Sequence, residues 1–349
     1  MKRKSFLLFV APSVVSMLLL IAMPLAGVVY LALHQSYVKT ELVELTTEVP
    51  LFGGLKRQVT RTVPQPVLDE NGRGVKVWKF VGADNIVQAA EVEGLDEILS
   101  GAREVTSLRG FISELHREIT NVDFWSALEF TLLYTFGTTP FVLLIGLGLA
   151  LGVDRASERL RGTMVFVSIL PMIVTPVVSS LAVYWLFLDG AVIASLIEAL
   201  GFGRFYFLAD QLTIRTVIVA YGIWWAAPFA FIILYAGLQT VPRDPLEAAM
   251  IDGASAWQRL RYVVIPHLMP LLAVITVIHV MDAYRVFEPI LVFGASVFAN
   301  SVQYLTYYTL SYEDNANKAA AYAILTVIGV VILLIPVLVH TYRDQATRR

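Results

Sequence analysis

Long apolar runs constrain this chain more than any other feature of its sequence. There are six of them, and each is long enough, at about 20 residues or more, to cross a hydrocarbon core of about 30 Å as a helix. In agreement, 57% of the residues are hydrophobic and only 15% are charged. We therefore predict an all-α polytopic membrane protein with six transmembrane helices. The runs are Phe6–Leu33, Ala127–Val153, Met164–Leu188, Ile214–Leu238, His267–Glu288 and Ala320–Tyr342.

The first apolar run follows the basic triplet Lys2, Arg3 and Lys4. A cleaved signal peptide is the alternative interpretation of such a start. The run is much longer than a signal-peptide core, and no small-residue cleavage site follows it. We therefore predict that residues 1–33 form a retained first transmembrane helix.

Residues 34–125 differ in character from the rest, because they hold 24 of the 54 charged residues. Alternating and turn-rich patterns predict short strands and a turn, and the later part predicts two amphipathic helices. We expect a small α/β insertion between the first and second spans, followed by a five-helix core over residues 126–349. The predicted strands are Leu42–Thr47, Arg57–Val63 and Val75–Phe80, the turn is Asp69–Gly72, and the helices are Ile86–Leu99 and Glu104–Thr120.

The basic residues predict the orientation of the chain, because positive loops stay in the cytoplasm. They cluster at the N-terminus, in loops 154–162 and 239–266, and in the C-terminal tail, whereas loops 189–213 and 289–319 hold few. Both termini are therefore expected in the cytoplasm and the insertion outside. The clustered arginines beyond the N-terminus are Arg155, Arg159, Arg161, Arg243, Arg259, Arg261, Arg343, Arg348 and Arg349.

The stretch between the fourth and fifth spans is amphipathic rather than apolar. Asp244, with Pro245 next to it, is expected to cap a helix that Gly253 ends in a left-handed turn. Ser255 and Gln258 have the spacing of a capping box, so a second helix should begin at once. We predict two helices along the membrane surface within loop 242–266.

This stretch resembles the EAA loop of binding-protein-dependent ABC transporter permeases, in their sugar-importing branch of the maltose and glycerol-3-phosphate type. The family pattern is Glu-Ala-Ala, a glycine six residues after the glutamate, and a later Ile-x-Leu-Pro. The segment Phe80–Asn85 is similar to the F-V-G-x-x-N sequence of the same permeases. The residues that carry the main match are Glu247, Ala248, Ala249, Asp252, Gly253, Ala254 and Pro266.

The resemblance implies that this loop couples transport to a separate ATPase. The implied partners are a second permease chain of different sequence, two ATPase subunits and an extracytoplasmic solute-binding protein, in the inner membrane of a bacterium. ATP and Mg²⁺ would be bound by the ATPase, with no cofactor in this chain. The sequence itself contains no phosphate-binding Walker motif, no catalytic triad spacing, no metal-ligand spacing and no basic excess for nucleic acid, and its net charge is −2.

The fourth and fifth spans carry the residues expected to line a substrate pathway. One face of the fourth combines small and aromatic residues, which suits the C–H faces of a sugar but also plain helix packing. The fifth holds His279, Asp282 and Arg285, and polar groups in a span usually face a bundle interior. Asp282 and Arg285 could instead neutralise each other. The predicted pathway residues are Gly222, Trp225, Ala226, Phe229, His279, Asp282 and Ala283.

Three questions stay open at the level of sequence. A secondary transporter or channel working without an ATPase is the alternative function, although the inverted repeats expected of such proteins are not evident. A membrane-anchored sensor is a third possibility, for which six spans are excessive. Tyr304, Tyr307, Tyr308 and Tyr312 fit either a pathway entrance or an interfacial aromatic belt.

The predicted topology can be tested with single cysteines, because the chain has none of its own. Asn71→Cys should react with an impermeant thiol reagent added to intact cells. Ser157→Cys, in a loop predicted to be cytoplasmic, should react only after the inner face is exposed. The reverse labelling pattern would contradict the orientation.

Overall fold

The computed structural model describes residues 3–50, 56–70, 72, 74–91, 110, 122–204 and 206–347. It divides into two compact units, residues 1–89 with 314–324 and residues 90–313 with 325–349. Within the described ranges, six helices are long and apolar enough to cross a membrane. The predicted fold class is confirmed, while the predicted division at residues 33 and 125 stays a prediction.

The first unit contains the first span and two small antiparallel sheets. The span consists of α1 (Arg3–Met17), a π-helical turn (Leu18–Ala22) and α2 (Met23–Leu33). After it come β1 (His34–Val38), β2 (Thr40–Pro50), β3 (Lys56–Pro66), β4 (Lys76–Phe80) and the short helix α3 (Asp84–Ala89).

The strands pair in two hairpin-like ladders. β1 lies opposite β4, from His34 against Phe80 to Val38 against Lys76, and β2 lies opposite β3. The three predicted strands are confirmed, and at the predicted turn the Gly72 N–H donates to the Asp69 carbonyl (3.0 Å). β1 was not predicted, because its polar sequence follows the span without a turn signal. The predicted helix 104–120, apart from residue 110, and most of the helix 86–99 lie outside the described residues.

Two asparagine side chains complete the end of the first span. A helix leaves its last carbonyl groups without intrahelical partners. The Asn85 amide donates to the carbonyls of Ala32 (3.0 Å) and His34 (2.8 Å), and the Asn317 amide donates to that of Leu31 (2.9 Å). Asn85, the asparagine of the Phe80–Asn85 segment, therefore stabilises the C-terminal end of α2.

The second unit is a bundle of helices. A π-helical turn (Leu260–Val264) joins α10 to α11, and a 3₁₀ turn (Ala295–Val297) follows α12. The last helix also supplies residues 316–324 of the first unit. The helices are α4 (Asp123–Asp154), α5 (Glu158–Ile173), α6 (Pro176–Phe187), α7 (Val192–Ala199), α8 (Gln211–Leu238), α9 (Arg243–Ile251), α10 (Ala256–Arg259), α11 (Ile265–Ala283), α12 (Glu288–Phe293), α13 (Val302–Ser311) and α14 (Ala316–Thr347).

Two spans that were predicted to be continuous are interrupted in the structure. The expected third span, residues 164–188, is broken between α5 and α6, where Val174 and Thr175 are extended. Pro176 explains the break, because a proline forces the residue before it out of the helical conformation. The fifth span was predicted to reach Glu288, but its helix ends at Ala283 and a turn separates it from α12.

The core of the second unit forms around α4 and α8, whose interface is more extensive than any other between its helices. One buried cluster, which includes Phe130, Ile218 and Ile290, lies toward the start of both helices. A second cluster, which includes Val142 and Phe231, lies toward their ends. The space between the clusters falls at the middle of α8.

Close approach of α4 and α8 depends on Gly146. A Cβ atom at this position would lie 2.6 Å from the Cβ of Ala230 and 2.9 Å from the backbone nitrogen of Phe231. Gly148 and Gly152 form a G-x-x-x-G pair in the sequence, but both are exposed and have no atom within 4 Å of such a Cβ. The G-x-x-x-G pair is therefore not the contact between these helices.

We predict that Gly146→Ala destabilises the protein and that Gly148→Ala does not. Overpacking of a helix contact typically costs about 1–3 kcal/mol. Thermal unfolding of the purified protein in detergent measures the difference. Equal melting temperatures for the two variants would contradict the packing that we describe.

Candidate functional site

A cavity of about 400 Å³ lies in the second unit. The residues that α8 contributes, Tyr221 to Phe229, fall in the middle third of that helix. Side chains from α4, α5, α6, α11 and α12 complete the wall. The lining residues are Tyr134, Met172, Pro176, Tyr221, Gly222, Trp225, Ala226, Phe229, His279, Asp282, Ala283, Arg285, Val286, Glu288 and Pro289.

The break between α5 and α6 forms one side of the cavity. A helix break at membrane depth leaves carbonyl groups that must find other donors. The indole N–H of Trp225 donates to the Val174 carbonyl (3.3 Å), and the Tyr221 hydroxyl donates to the Pro176 carbonyl (3.0 Å). The cavity face of α8 therefore supplies a donor to the Val174 carbonyl, which the break leaves without an intrahelical partner, and an additional donor to the Pro176 carbonyl in the first turn of α6.

Gly222 allows a tyrosine from the neighbouring span to reach the cavity. Tyr134 is buried on α4, and its hydroxyl and ring lie where a Cβ at residue 222 would be. Any larger residue at position 222 would push this ring away. The small residue that the sequence placed on this face is thus needed for a contact between α4 and α8.

The polar wall of the cavity comes from α11 and the turn after it. His279 is buried, and its Nε2 lies 3.0 Å from the Thr138 hydroxyl in a hydrogen bond. Asp282 and Arg285 are both exposed to the cavity side, and no ion pair joins them in the described part of the chain. The part of the chain that the structure describes therefore contains no direct ion pair between Asp282 and Arg285.

All seven residues predicted for the pathway line this one cavity. Sequence reasoning missed Tyr134, Met172, Pro176 and Tyr221, because they come from helices outside the fourth and fifth spans or from a neighbouring face. Val286, Glu288 and Pro289 were missed because the fifth span was taken as continuous. The pair Thr175-Pro176 inside an apolar run was the available signal for the break.

The loop between α8 and α11 contains two short helices, as predicted. α9 ends in a Schellman motif, in which Ala254 N–H donates to Ala249 (2.9 Å) and Gly253 N–H donates to Met250 (3.1 Å). Gly253 has φ +77°, the left-handed conformation expected. Ser255 and Gln258 form the predicted capping box at the start of α10.

The prediction that Asp244 caps α9 is wrong. The helix begins at Arg243, its N-cap is Pro242, and no side chain caps it. Pro245 is tolerated inside the first turn, because the N–H groups there have no intrahelical partner to lose. Asp244 still lies in the first turn, where a carboxylate interacts favourably with the helix dipole.

The segment from α9 to the π-helical turn, residues 243–264, which we call the α9–α10 loop, exposes large apolar side chains together with charges. The exposed fractions are 86% for Ile251, 63% for Trp257 and 70% for Tyr262. Glu247 and Asp252 are exposed on the same loop, and Pro266 follows the π-helical turn. Such a mixture of exposed apolar and charged groups is typical of a protein interaction surface.

The fold and the cavity define a class of protein. Six apolar helices, a cavity at mid-span and an exposed loop joined to both cavity-lining spans are the parts of a membrane transport subunit. Residues 130–349 match the family described as the binding-protein-dependent transport system inner membrane component. The chain belongs to this family of ABC transporter permeases, and the predicted recognition and transport role are confirmed.

Several relatives of this chain have names that specify a solute. It is 31% identical over 215 residues to the trehalose transport system permease protein SugA of Mycobacterium tuberculosis, which covers 61% of this chain and 69% of the relative. It is 29% identical over 202 residues to the trehalose/maltose transport system permease protein MalF of Thermococcus litoralis, covering 56% and 68%.

A solved structure shares the fold. It is a bacterial ABC transporter involved in the import of the acidic polysaccharide alginate, with a TM-score of 0.58 and 22% identity, covering 62% of this chain and 78% of that one. The similarity concerns the helical fold.

We predict that Trp225→Ala lowers the initial rate of solute uptake by about three- to tenfold, because one aromatic contact in the cavity is lost. Trp224→Ala is the matched control, since its ring is not part of the cavity wall. Trp225→Phe separates the ring from the hydrogen bond to Val174. Uptake that is equally affected by the changes at 224 and 225 would contradict the assignment.

Proposed function

We propose that this chain is the permease subunit of an ATP-driven importer for a neutral sugar, of about disaccharide size. The observation that carries the proposal is the cavity at mid-span, whose wall includes residues of both spans that flank the α9–α10 loop. A movement of that loop would displace α8 and α11 together and so change access to the cavity.

The cavity wall has the chemistry that a sugar requires. Trp225, Phe229 and the tyrosine rings offer aromatic faces for the C–H side of a pyranose. His279, Asp282 and the tyrosine hydroxyls offer donors and acceptors for its hydroxyl groups. The volume of about 400 Å³ lies within the range of about 300–1,000 Å³ that is usual for small-molecule sites.

The charges of the wall favour a neutral sugar over an acidic one. The wall contains two carboxylates, those of Asp282 and Glu288, and one guanidinium, that of Arg285. A sugar carboxylate would meet more negative than positive charge in a site of reduced dielectric. The relatives named for trehalose and for trehalose/maltose carry neutral disaccharides in their names, which supports the same class here.

We infer that the α9–α10 loop docks on a separate ATPase subunit. The exposed side chains of Ile251, Trp257 and Tyr262 would be covered in such a contact, and the turn at Gly253 fixes the angle between the two helices. ATP and Mg²⁺ would be bound by that partner. The residues proposed for coupling are Glu247, Ala248, Ala249, Asp252, Gly253, Ala254 and Pro266.

The full transporter, in this proposal, has two different permease chains, two ATPase subunits and an extracytoplasmic binding protein that contacts residues 34–125. Both termini would lie in the cytoplasm. One solved structure with this fold is an alginate ABC transporter in complex with an alginate pentasaccharide-bound periplasmic protein, which is a precedent for such an assembly.

Uptake measurements test the proposed substrate. Cells lacking this chain should take up less radiolabelled trehalose or maltose than cells expressing it, and uptake of methionine should be unchanged. Equal uptake of both disaccharides in the two strains would reject the proposal. Uptake that continues in ATP-depleted vesicles on an ion gradient would favour a secondary transporter instead.

We predict that Gly253→Pro abolishes this uptake while the amount of protein in the membrane is unchanged. Proline cannot adopt φ +77°, because its ring fixes φ near about −65°. Gly253→Asn is the matched control, since asparagine tolerates the left-handed conformation, and it should retain most of the uptake. Normal uptake by a well-expressed Gly253→Pro variant would contradict the coupling role.

A further inference from the structure

Five aromatic rings on and beside α13 form a continuous group, which we call the aromatic ladder. Neighbouring ring centroids lie between 5.0 Å, for Phe287 and Tyr307, and 6.4 Å, for Tyr304 and Tyr308. Tyr308 continues to Tyr312 at 5.2 Å, with the two rings nearly parallel. The members are Phe287, Tyr304, Tyr307, Tyr308 and Tyr312.

One end of the aromatic ladder is next to the cavity wall. Phe287 lies in the chain between Val286 and Glu288, which both line the cavity, while its own ring is not part of the wall. Ser301, the N-cap of α13, donates from its hydroxyl to the Val286 carbonyl (2.6 Å) and accepts from the N–H of Tyr304 (3.1 Å). The rings of α13 are therefore held in a set position relative to the cavity.

The start of α13 is also tied to α4. The Val302 N–H donates to the Thr131 hydroxyl (3.1 Å), and both residues are fully buried. The first turn of α13 is thus bonded both to the turn at Val286 and to α4, which fixes the position of the helix and its rings relative to the cavity wall. The ladder is thus a built feature of the bundle rather than a set of independent surface side chains.

The other end of the ladder is open. Tyr304 and Tyr307 are half-buried, Tyr308 is 42% exposed and Tyr312 is 66% exposed. α13 follows the fifth span, so it lies at the end of the bundle opposite the α9–α10 loop. Exposure increases along one helix from the cavity wall to the surface, as expected for a route into the cavity.

We propose that the aromatic ladder is a transit track, along which a neutral saccharide passes from the extracytoplasmic surface into the cavity. The inference rests on the proposed sugar import. Ring faces hold the C–H side of a pyranose without binding it tightly, and the phenolic hydroxyls exchange hydrogen bonds with its hydroxyl groups. A row of similar weak sites suits movement better than one strong site.

An interfacial aromatic belt is the competing explanation. Belt residues act individually, through contact of each ring with lipid headgroups. Tyr206 is a suitable belt residue for comparison, because it is 50% exposed, lies in the loop before α8 at the same end of the bundle, and is not part of the ladder. The two explanations differ in whether Tyr206 and Tyr308 respond alike to substitution.

The test uses the complete transporter in proteoliposomes and measures the initial uptake of radiolabelled trehalose and maltose. Tyr308→Ala and Tyr312→Ala should each lower uptake by about three- to tenfold, as for loss of one aromatic contact. Tyr308→Phe, which keeps the ring, should lose less than about twofold, and so should Tyr206→Ala. ATP hydrolysis stimulated by the binding protein should be unchanged in all four variants, because the coupling loop is intact.

The possible outcomes distinguish failure of the transit-track proposal from failure of the proposed sugar import. If the wild-type transporter carries the disaccharide but Tyr308→Ala behaves like Tyr206→Ala, the track is rejected and sugar import stands. If uptake and ATP hydrolysis fall together in Tyr308→Ala, its role is structural and the track is also rejected. If the wild type carries neither disaccharide, the sugar proposal fails and the track fails with it.

Discussion

The need to bond every backbone carbonyl inside an apolar environment shapes the second unit of this protein. Pro176 breaks the third span, and the carbonyl of Val174 at the end of α5 is left for another donor. Trp225 supplies that donor from α8, and Tyr221 on the same helix donates to the Pro176 carbonyl at the start of α6. The same two side chains line the cavity, so the interactions that make the break tolerable also bring polar and aromatic groups together at mid-span.

The cavity exists because the packing of α4 against α8 is interrupted at one level only. Above and below it, buried clusters containing Ile218 and Phe231 close the bundle. Gly146 allows the two helices to pack closely near their C-terminal ends. Gly222 has no side chain, and the ring of Tyr134 occupies the space that a Cβ atom there would need. Close packing on both sides of the cavity leaves its wall residues little room to move independently of the helices.

Much of the fold was accessible from sequence because it depends on local rules. Apolar length predicted six spans, alternation predicted three strands, and the positions of Gly253, Ser255 and Gln258 predicted the helix–turn–helix of the loop. The seven residues chosen for the pathway share one cavity, since helical spacing fixes which side chains share a face. The cap at Asp244 was wrong because a helix start depends on tertiary surroundings as well as on the capping residue.

The sequence by itself determined that the chain crosses a membrane, which loop is amphipathic, and that it belongs with the binding-protein-dependent permeases. Tertiary structure decided where the spans break, that Asp282 and Arg285 form no direct ion pair within the described residues, and that Tyr134 and Pro176 belong to the cavity. It also placed tyrosines of α13 in contact with Phe287, which lies in the chain between two residues of the cavity wall. The physical reason is that helix periodicity orders residues within one span, whereas the contacts between spans depend on packing at sites such as Gly146 and Gly222 that no single periodic pattern specifies.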